Sequence, residues 1–351
     1  MTLIPTLAET IARARGDMRM GLPVVIGGSI AAAVETLTPD RLAAMRAMGT
    51  PVLVLTARRA ETLKARAYDG DLARVAVSDD ADLAALRALS DPAGDLMTPM
   101  KGPLATLRGG NTTAHRAAVA LAKSAQLLPA VLMVAGDAPG LTRLEPGPVL
   151  AQLATTAALV PVAAARLPLA AAERSRLHIF RPDDGGAEHY AVEIGAPPRD
   201  APVLARLHSA CFTGDVLGSL KCDCGPQLHA ALNAMGQAGA GVLLYLNQEG
   251  RGIGLANKMR AYDLQNQGFD TVEANHRLGF EDDERDFRIG AGLLRRLGFD
   301  AARLMTNNPR KVAMLASHGI AVTERVPLVT ARNPHNTGYL DTKAAKSGHL
   351  L

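Results

Sequence analysis

No tryptophan occurs in this 351-residue chain, and five tyrosines and six phenylalanines make aromatics only 3% of it. Platforms on which bases stack are therefore scarce, which argues against single-stranded nucleic acid as a partner. The lysines and arginines form no dense block, and a net charge of +4 suits an anionic ligand without demanding a polyanion. No apolar run reaches the roughly 20 residues that cross a bilayer. The richest stretch, 153–172, is alanine-heavy and broken by prolines. The start of the chain lacks the pattern of a signal peptide, so the expected setting is cytoplasmic and reducing. A Walker P-loop is also missing. There are three cysteines, and all of them fall within residues 211–224.

Those three, Cys211, Cys222 and Cys224, are the most informative residues present. Cys222 and Cys224 are one residue apart, too close for a comfortable disulfide. One disulfide elsewhere with a spare thiol, or three small buried hydrophobes, are the alternatives. Three thiolates with a fourth position left open is how a catalytic zinc is held, whereas structural zinc usually closes its shell with four protein ligands. The expectation is one zinc per chain, on three Cys ligands and a water.

The length and a change of character near 140–175 suggest two domains, at 1–150 and 160–351. In the first half, apolar runs at 23–26, 51–55 and 130–134 alternate with helical patterns, which argues mixed α/β architecture. The second half gives strands at 177–180, 189–193, 203–206, 241–246 and 303–306. Helices are expected at 226–235, 254–267, 283–297 and 309–317, the last two closed by Gly298 and Gly319. Each domain should thus be a mixed β-sheet flanked by helices.

Several polar clusters fall at strand ends, where α/β sheets place ligands. Asn247-Gln-Glu-Gly-Arg-Gly-Ile-Gly254 follows one strand, and Arg251 there suits a phosphate. Thr306-Asn-Asn-Pro-Arg-Lys311 sets a hydroxyl, amides and cations at a helix start, a natural anion site. Arg310 and Lys311 also fit an ordinary solvated first turn. The acidic run 281–286 suits a helix N-terminus, but Arg285 within it does not. Taken singly, His208 and Tyr262 read as core residues.

In order, the motifs are Cys211-(ten residues)-Cys222-Asp-Cys-Gly, Gln248-Glu-Gly-Arg-Gly-Ile-Gly-Leu255, Asp270-Thr-Val-Glu-Ala-Asn-His276, Asp283-Glu-Arg285, Thr306-Asn-Asn-Pro-Arg-Lys311 and Tyr339-Leu-Asp-Thr-Lys343. Together they closely resemble the GTP cyclohydrolase II family over about residues 160–351. The resemblance implies a zinc- and magnesium-dependent hydrolase of riboflavin biosynthesis, with Mg2+ on the triphosphate. It would open the imidazole ring of GTP, release formate and pyrophosphate, and leave 2,5-diamino-6-ribosylamino-4(3H)-pyrimidinone 5′-phosphate. It implies Asp283 as proton acceptor, Arg285 as nucleophile on the α-phosphorus or as stabiliser of charge there, and Tyr262 near the reacting ring. Arg206, His208, Ser209, Gln227, Glu249, Arg251, Thr271, Thr306 and Lys311 match GTP-contacting positions, with Glu249 reading the guanine edge. A homodimer is expected. Ala210 departs from the pattern, because the family usually carries Glu before the first zinc cysteine. The alternatives are a paralogue acting on another nucleotide and a non-catalytic regulatory homologue.

The first half faintly resembles 3,4-dihydroxy-2-butanone 4-phosphate synthase. Residues 21–26 look like that family's opening strand, and 91–110, 117–122 and 129–131 like its later portion. Its acidic stretch is replaced by Gly27-Gly-Ser-Ile-Ala31, and its Gly-His-Thr-Glu motif by Thr113-Ala-His-Arg116. Without oxygen ligands a magnesium site cannot form. The expectation is a degenerate, inactive domain kept for folding or dimer contacts.

Overall fold

The computed structural model describes residues 3–331, 333–338, 341, 345, 348 and 350. Of the closing motif, Tyr339, Leu340, Thr342 and Lys343 lie outside the described residues. The chain forms two compact units: Met1–Thr155 with Ile253–Glu284, and Thr156–Gly252 with Arg285–Leu351.

The first unit contains strands β1 (Val24–Ile26), β2 (Ser29–Ala33), β3 (Val52–Thr56), β4 (Leu72–Ala76), β5 (Ala130–Ala135) and β6 (Arg143–Leu144). They make one mixed sheet in the order β4-β3-β5-β2-β1-β6. Side chains alternate across a strand, so β5 serves two cores. Val131 and Met133 face one core, with Ile11 and Met18 of α1 (Leu7–Arg19) and Leu121 of α5 (Thr113–Ser124). Leu132 and Val134 face the other, with Leu42 of α2 (Pro39–Met48) and Leu86 of α4 (Leu83–Ser90). Helices α3 (Ala57–Thr62) and α6 (Pro146–Ala154) complete the first-half set. The excursion from the second half adds α8 (Leu255–Asn266) and α9 (Thr271–Arg277), whose Ala261, Leu264 and Ala274 cluster with Leu128.

The second unit holds β7 (Leu159–Arg166), β8 (Ser175–Pro182), β9 (His189–Ile194), β10 (Val203–Ser209), β11 (Gly241–Leu246), β12 (Ala301–Met305) and β13 (Ala321–Val326). Their order is β13-β12-β10-β11-β9-β8-β7. Strand β10 runs parallel to both neighbours, β11 and β12, while β9 is antiparallel to β11. The C-terminal ends of three adjacent parallel strands therefore open at one edge of the sheet, β10 followed by the cysteine loop and β11 and β12 each by a polar cluster. Val203, Ala205 and Leu207 of β10 pack with Leu293 and Leu294 of α10 (Arg288–Arg296) and Leu315 of α11 (Pro309–Ser317). The alternate residues Leu204, Arg206 and His208 lie on the other face, where Leu204 packs with Ala231 and Met235 of α7 (Cys224–Ala238).

Both units have the expected mixed α/β architecture. One helix is shorter than its pattern predicts. Residues 281–287 are not helical, and α10 begins only at Arg288. The acidic side chains are used elsewhere: Asp286 Oδ1 accepts the Arg288 N–H at 2.9 Å, and Asp282 meets His276 Nε2 at 2.7 Å. Arg285 thus belongs to an irregular segment, which removes the anomaly of a cation in a helix first turn. No helix among the described residues is long and apolar enough to cross a membrane.

Candidate active site

Cys211 lies two residues past the end of β10 and precedes one short helical turn, Phe212–Val216. Cys224 is the first residue of α7, so its sulfur sits at the positive end of that helix, where a thiolate is favoured. The three Sγ atoms lie within 4.8 Å of one another, and Cys211 Sγ is 3.7 Å from Cys222 Sγ. Sulfurs bound tetrahedrally to zinc at about 2.3 Å stand roughly 3.8 Å apart, so the spacing fits that ion. No disulfide joins them. Gly214 backs the cluster: a Cβ there would come 2.8 Å from Cys222 Sγ and 3.1 Å from Cys211 Sγ. At Gly225 a Cβ would meet the Gly214 carbonyl oxygen at 2.2 Å. The turn and the start of α7 close to this distance only as glycines. Hydrogen bonding to Cys211 pushes the Cys222 thiol up, and contacts with Cys211 and Cys222 push Cys224 well above the ordinary thiol range. A divalent cation relieves that crowding by replacing the protons.

A buried carboxylate holds this turn, and sequence reasoning did not single it out. Asp215 Oδ2 accepts the Cys211 N–H at 3.0 Å, the Tyr245 hydroxyl at 2.9 Å and His208 Nε2 at 3.0 Å. The carboxylate places the His208 proton on Nε2. Nδ1 is then an acceptor, buried and without a partner among the described residues. The only signal was an Asp within the cysteine loop, a common turn residue.

Beside the cysteines lies a pocket lined by Arg206, His208 and Ser209 of β10, Cys224 and Gln227 of α7, Arg251, Arg285, and Thr306 and Lys311 around the start of α11. Arg206 donates to the Met305 carbonyl at 3.0 Å and to Gln227 Oε1. Burial lowers its pKa to about 10, still protonated at neutral pH, and its Nε has no partner among the described residues. Lys311 Nζ donates to the Leu207 carbonyl at 2.9 Å, and Arg285 Nη1 to Ser209 Oγ at 3.3 Å. Both cations lie over the Phe287 ring, at 4.8 and 4.7 Å from its centroid. Four cationic side chains thus converge on one cavity, a setting for a polyanion. Arg310 is exposed, as a solvated first turn would have it, but Lys311 is buried.

The family model for GTP cyclohydrolase II matches residues 161–327. A GTP cyclohydrolase-2 of Azospirillum brasilense is 44% identical over 98% of this chain and 94% of its own length. This chain belongs to the GTP cyclohydrolase II family. It is therefore a hydrolase by family. A GTP cyclohydrolase-2 of Pseudomonas syringae pv. tomato is 56% identical over 55% of this chain and 94% of its own length. That of Cronobacter sakazakii is 61% identical over 47% and 84%. The solved RibBX from A. baumannii, a two-domain 3,4-dihydroxy-2-butanone 4-phosphate synthase, aligns over 92% of this chain at 15% identity and TM-score 0.32, too slight a likeness to support inference.

The remaining residues that the cyclohydrolase motifs single out stand outside the pocket lining. Glu249 ties two loops together, accepting the Phe212 N–H at 2.6 Å and the Gly250 N–H at 2.9 Å. Next to it Gly250 and Arg251 both take left-handed backbone, at φ 61° and 62°. Such strain in a non-glycine residue is characteristic of functional loops. Tyr262 is on α8, Thr271 begins α9, and Asp283 lies in the irregular stretch before α10; all three belong to the first unit. Ala210 donates its N–H to the Leu246 carbonyl at 2.7 Å, a backbone role that any side chain permits.

Proposed function

We propose that this chain is a cytoplasmic GTP cyclohydrolase II of riboflavin biosynthesis. It would hydrolyse GTP to formate, pyrophosphate and 2,5-diamino-6-ribosylamino-4(3H)-pyrimidinone 5′-phosphate. The observation that carries the reading is the pairing of a three-thiolate cluster with a cavity lined by Arg206, Arg251, Arg285 and Lys311. Cys211, Cys222 and Cys224 would hold one zinc, which supplies Lewis acidity and lowers the pKa of water. Arg206, Arg251 and Lys311 neutralise the triphosphate, which carries Mg2+. Arg285 stabilises the charge that develops at the α-phosphorus; a protonated guanidinium is a poor nucleophile. Asp283 takes up the proton of the attacking water, and Tyr262 flanks the ring. His208 Nδ1, an acceptor, suits a ribose hydroxyl or a water rather than a phosphate oxygen. Gln227, Ser209, Thr306 and Thr271 supply neutral hydrogen bonds, and Glu249 reads the guanine edge.

Incubation of the purified chain with GTP and Mg2+ tests this reading, following formate and the pyrimidine together. Absence of both products in zinc-replete protein would overturn it. Turnover of another purine nucleotide in preference to GTP would instead make it a paralogue. Homodimer formation is part of the same proposal. Its support is β7, an end strand exposed along all but its first residue, with Val160 and Val162 at 51% and 45% exposure. Edge strands of this kind invite pairing between copies. Val162→Lys should shift the sedimentation coefficient to that of a monomer if the strand is the interface.

A further inference from the structure

Within the first unit, first-half residues grip the excursion 253–284 at several points. Arg260 of α8 pairs with Glu35 at 2.9 Å and with Asp91 at 3.2 Å. The Asn257 side chain, fully buried, donates to the Gln126 carbonyl at 2.9 Å. Thr56 Oγ donates to the Gly279 carbonyl at 2.8 Å in a buried contact. Next to Asp283 in the sequence, Glu284 Oε1 pairs with Lys123 Nζ at 2.6 Å, both side chains 24% exposed. The same Glu284 oxygen accepts the Glu281 N–H at 2.9 Å.

Glu284 stands between Asp283 and Arg285, in a stretch without helix or strand. Regular backbone hydrogen bonding does not fix such a segment, so side-chain contacts must. The Arg58–Glu281 pair, at 39% and 54% exposure, is screened and contributes little. Lys123–Glu284 is shorter and better shielded, and its cation also lies 5.7 Å from the buried Phe280 ring. We infer that the first half is a clamp for the segment bearing Tyr262, Thr271 and Asp283, and that Lys123 is a positioning residue for turnover. This rests on the roles proposed above for Asp283 and Arg285. Relatives such as that of P. syringae are aligned over 94% of their length within about half of this chain, so they lack room for such a clamp.

The test uses the full-length, zinc-replete protein. Lys123→Met should lower kcat for GTP about fivefold, the scale of one partly shielded ion pair, with KM changed less than about twofold. Lys123→Arg should restore most of the loss. Glu284→Gln should match Lys123→Met, and the double variant should be no worse than either, because both remove one contact. Amides of 279–284 should exchange faster in Lys123→Met while those of β10 stay protected. Unchanged kcat in Lys123→Met, or additive losses in the double variant, would overturn the clamp. A loss that Lys123→Arg fails to relieve would do the same, since it marks a general packing defect. Normal turnover in both Asp283→Asn and Arg285→Ala would remove the site assignment itself, and the clamp with it.

Discussion

Gly214 has no room for a side chain, and that single fact makes the cysteine cluster testable without touching a ligand. Gly214→Ala would place a methyl group 2.8 Å from Cys222 Sγ, so the turn must shift away from α7. Metal analysis should show zinc falling from one per chain to well below half, as in Cys222→Ser. Gly16→Ala, with nothing within 4 Å of its Cβ, should keep its zinc. Full zinc retention in Gly214→Ala would show that the cluster is not the metal site. Arg285 and Lys311 share the Phe287 ring but differ in tether. Lys311 is held to the Leu207 carbonyl, so its loss should chiefly raise KM for GTP. Arg285 donates to Ser209 Oγ at 3.3 Å, and its proposed role is to stabilise charge developing at phosphorus. Arg285→Ala should cost on the order of 100-fold in kcat with a smaller change in KM. Near-normal kcat for both formate and pyrophosphate would reduce Arg285 to a surface charge.

At the scale of an element, β9 supports the loop after β11 through one histidine. His189 Nδ1 accepts the Asn247 N–H at 3.0 Å, at the start of the loop that carries Glu249 and Arg251. Burial pushes the His189 pKa down to about 4. The unfolded chain takes up that proton near pH 6.5, so acid favours unfolding between the two values. The contribution is complete above pH 6.5 and is lost as pH falls towards 4, by about 2 kcal/mol between pH 7 and 5. Denaturant unfolding at those two pH values should show this loss in the native chain and not in His189→Gln. Taking the difference between the proteins cancels the acid release of zinc that both share. Equal losses in the two would show that His189 is not held neutral.

Across the whole molecule, two halves of unequal chemistry share one chain. The A. brasilense relative matches both halves, whereas that of P. syringae corresponds to about half of this chain under the same name. The family model matches within the second half, at residues 161–327, and we propose that ring opening belongs there. Gly27 and Gly28 form a tight left-handed turn between β1 and β2, and we propose that this turn stands in place of the acidic stretch of a butanone-phosphate synthase. Ribulose 5-phosphate with Mg2+ should therefore give no four-carbon phosphate above background. Its appearance would show that the first half has kept a synthase activity.

The sequence by itself determined the α/β class, most strand positions and the chemistry of the cysteines, because these follow from local periodicity and residue type. The strand at 241–246 and the helix at 309–317 were legible to the residue, each bounded by unambiguous breakers. It could not place the start of α10, since an acidic run suits a helix N-terminus and a charged loop equally. Only the tertiary structure showed Asp282 and Glu284 spent on His276 and Lys123 instead. It also decided that Asp215, rather than a motif residue, holds Cys211, and that 253–284 packs with the first half. Contacts between residues a hundred or more positions apart leave no periodicity to read. They depend on which strand ends lie side by side, and that is settled by the packing of the whole unit.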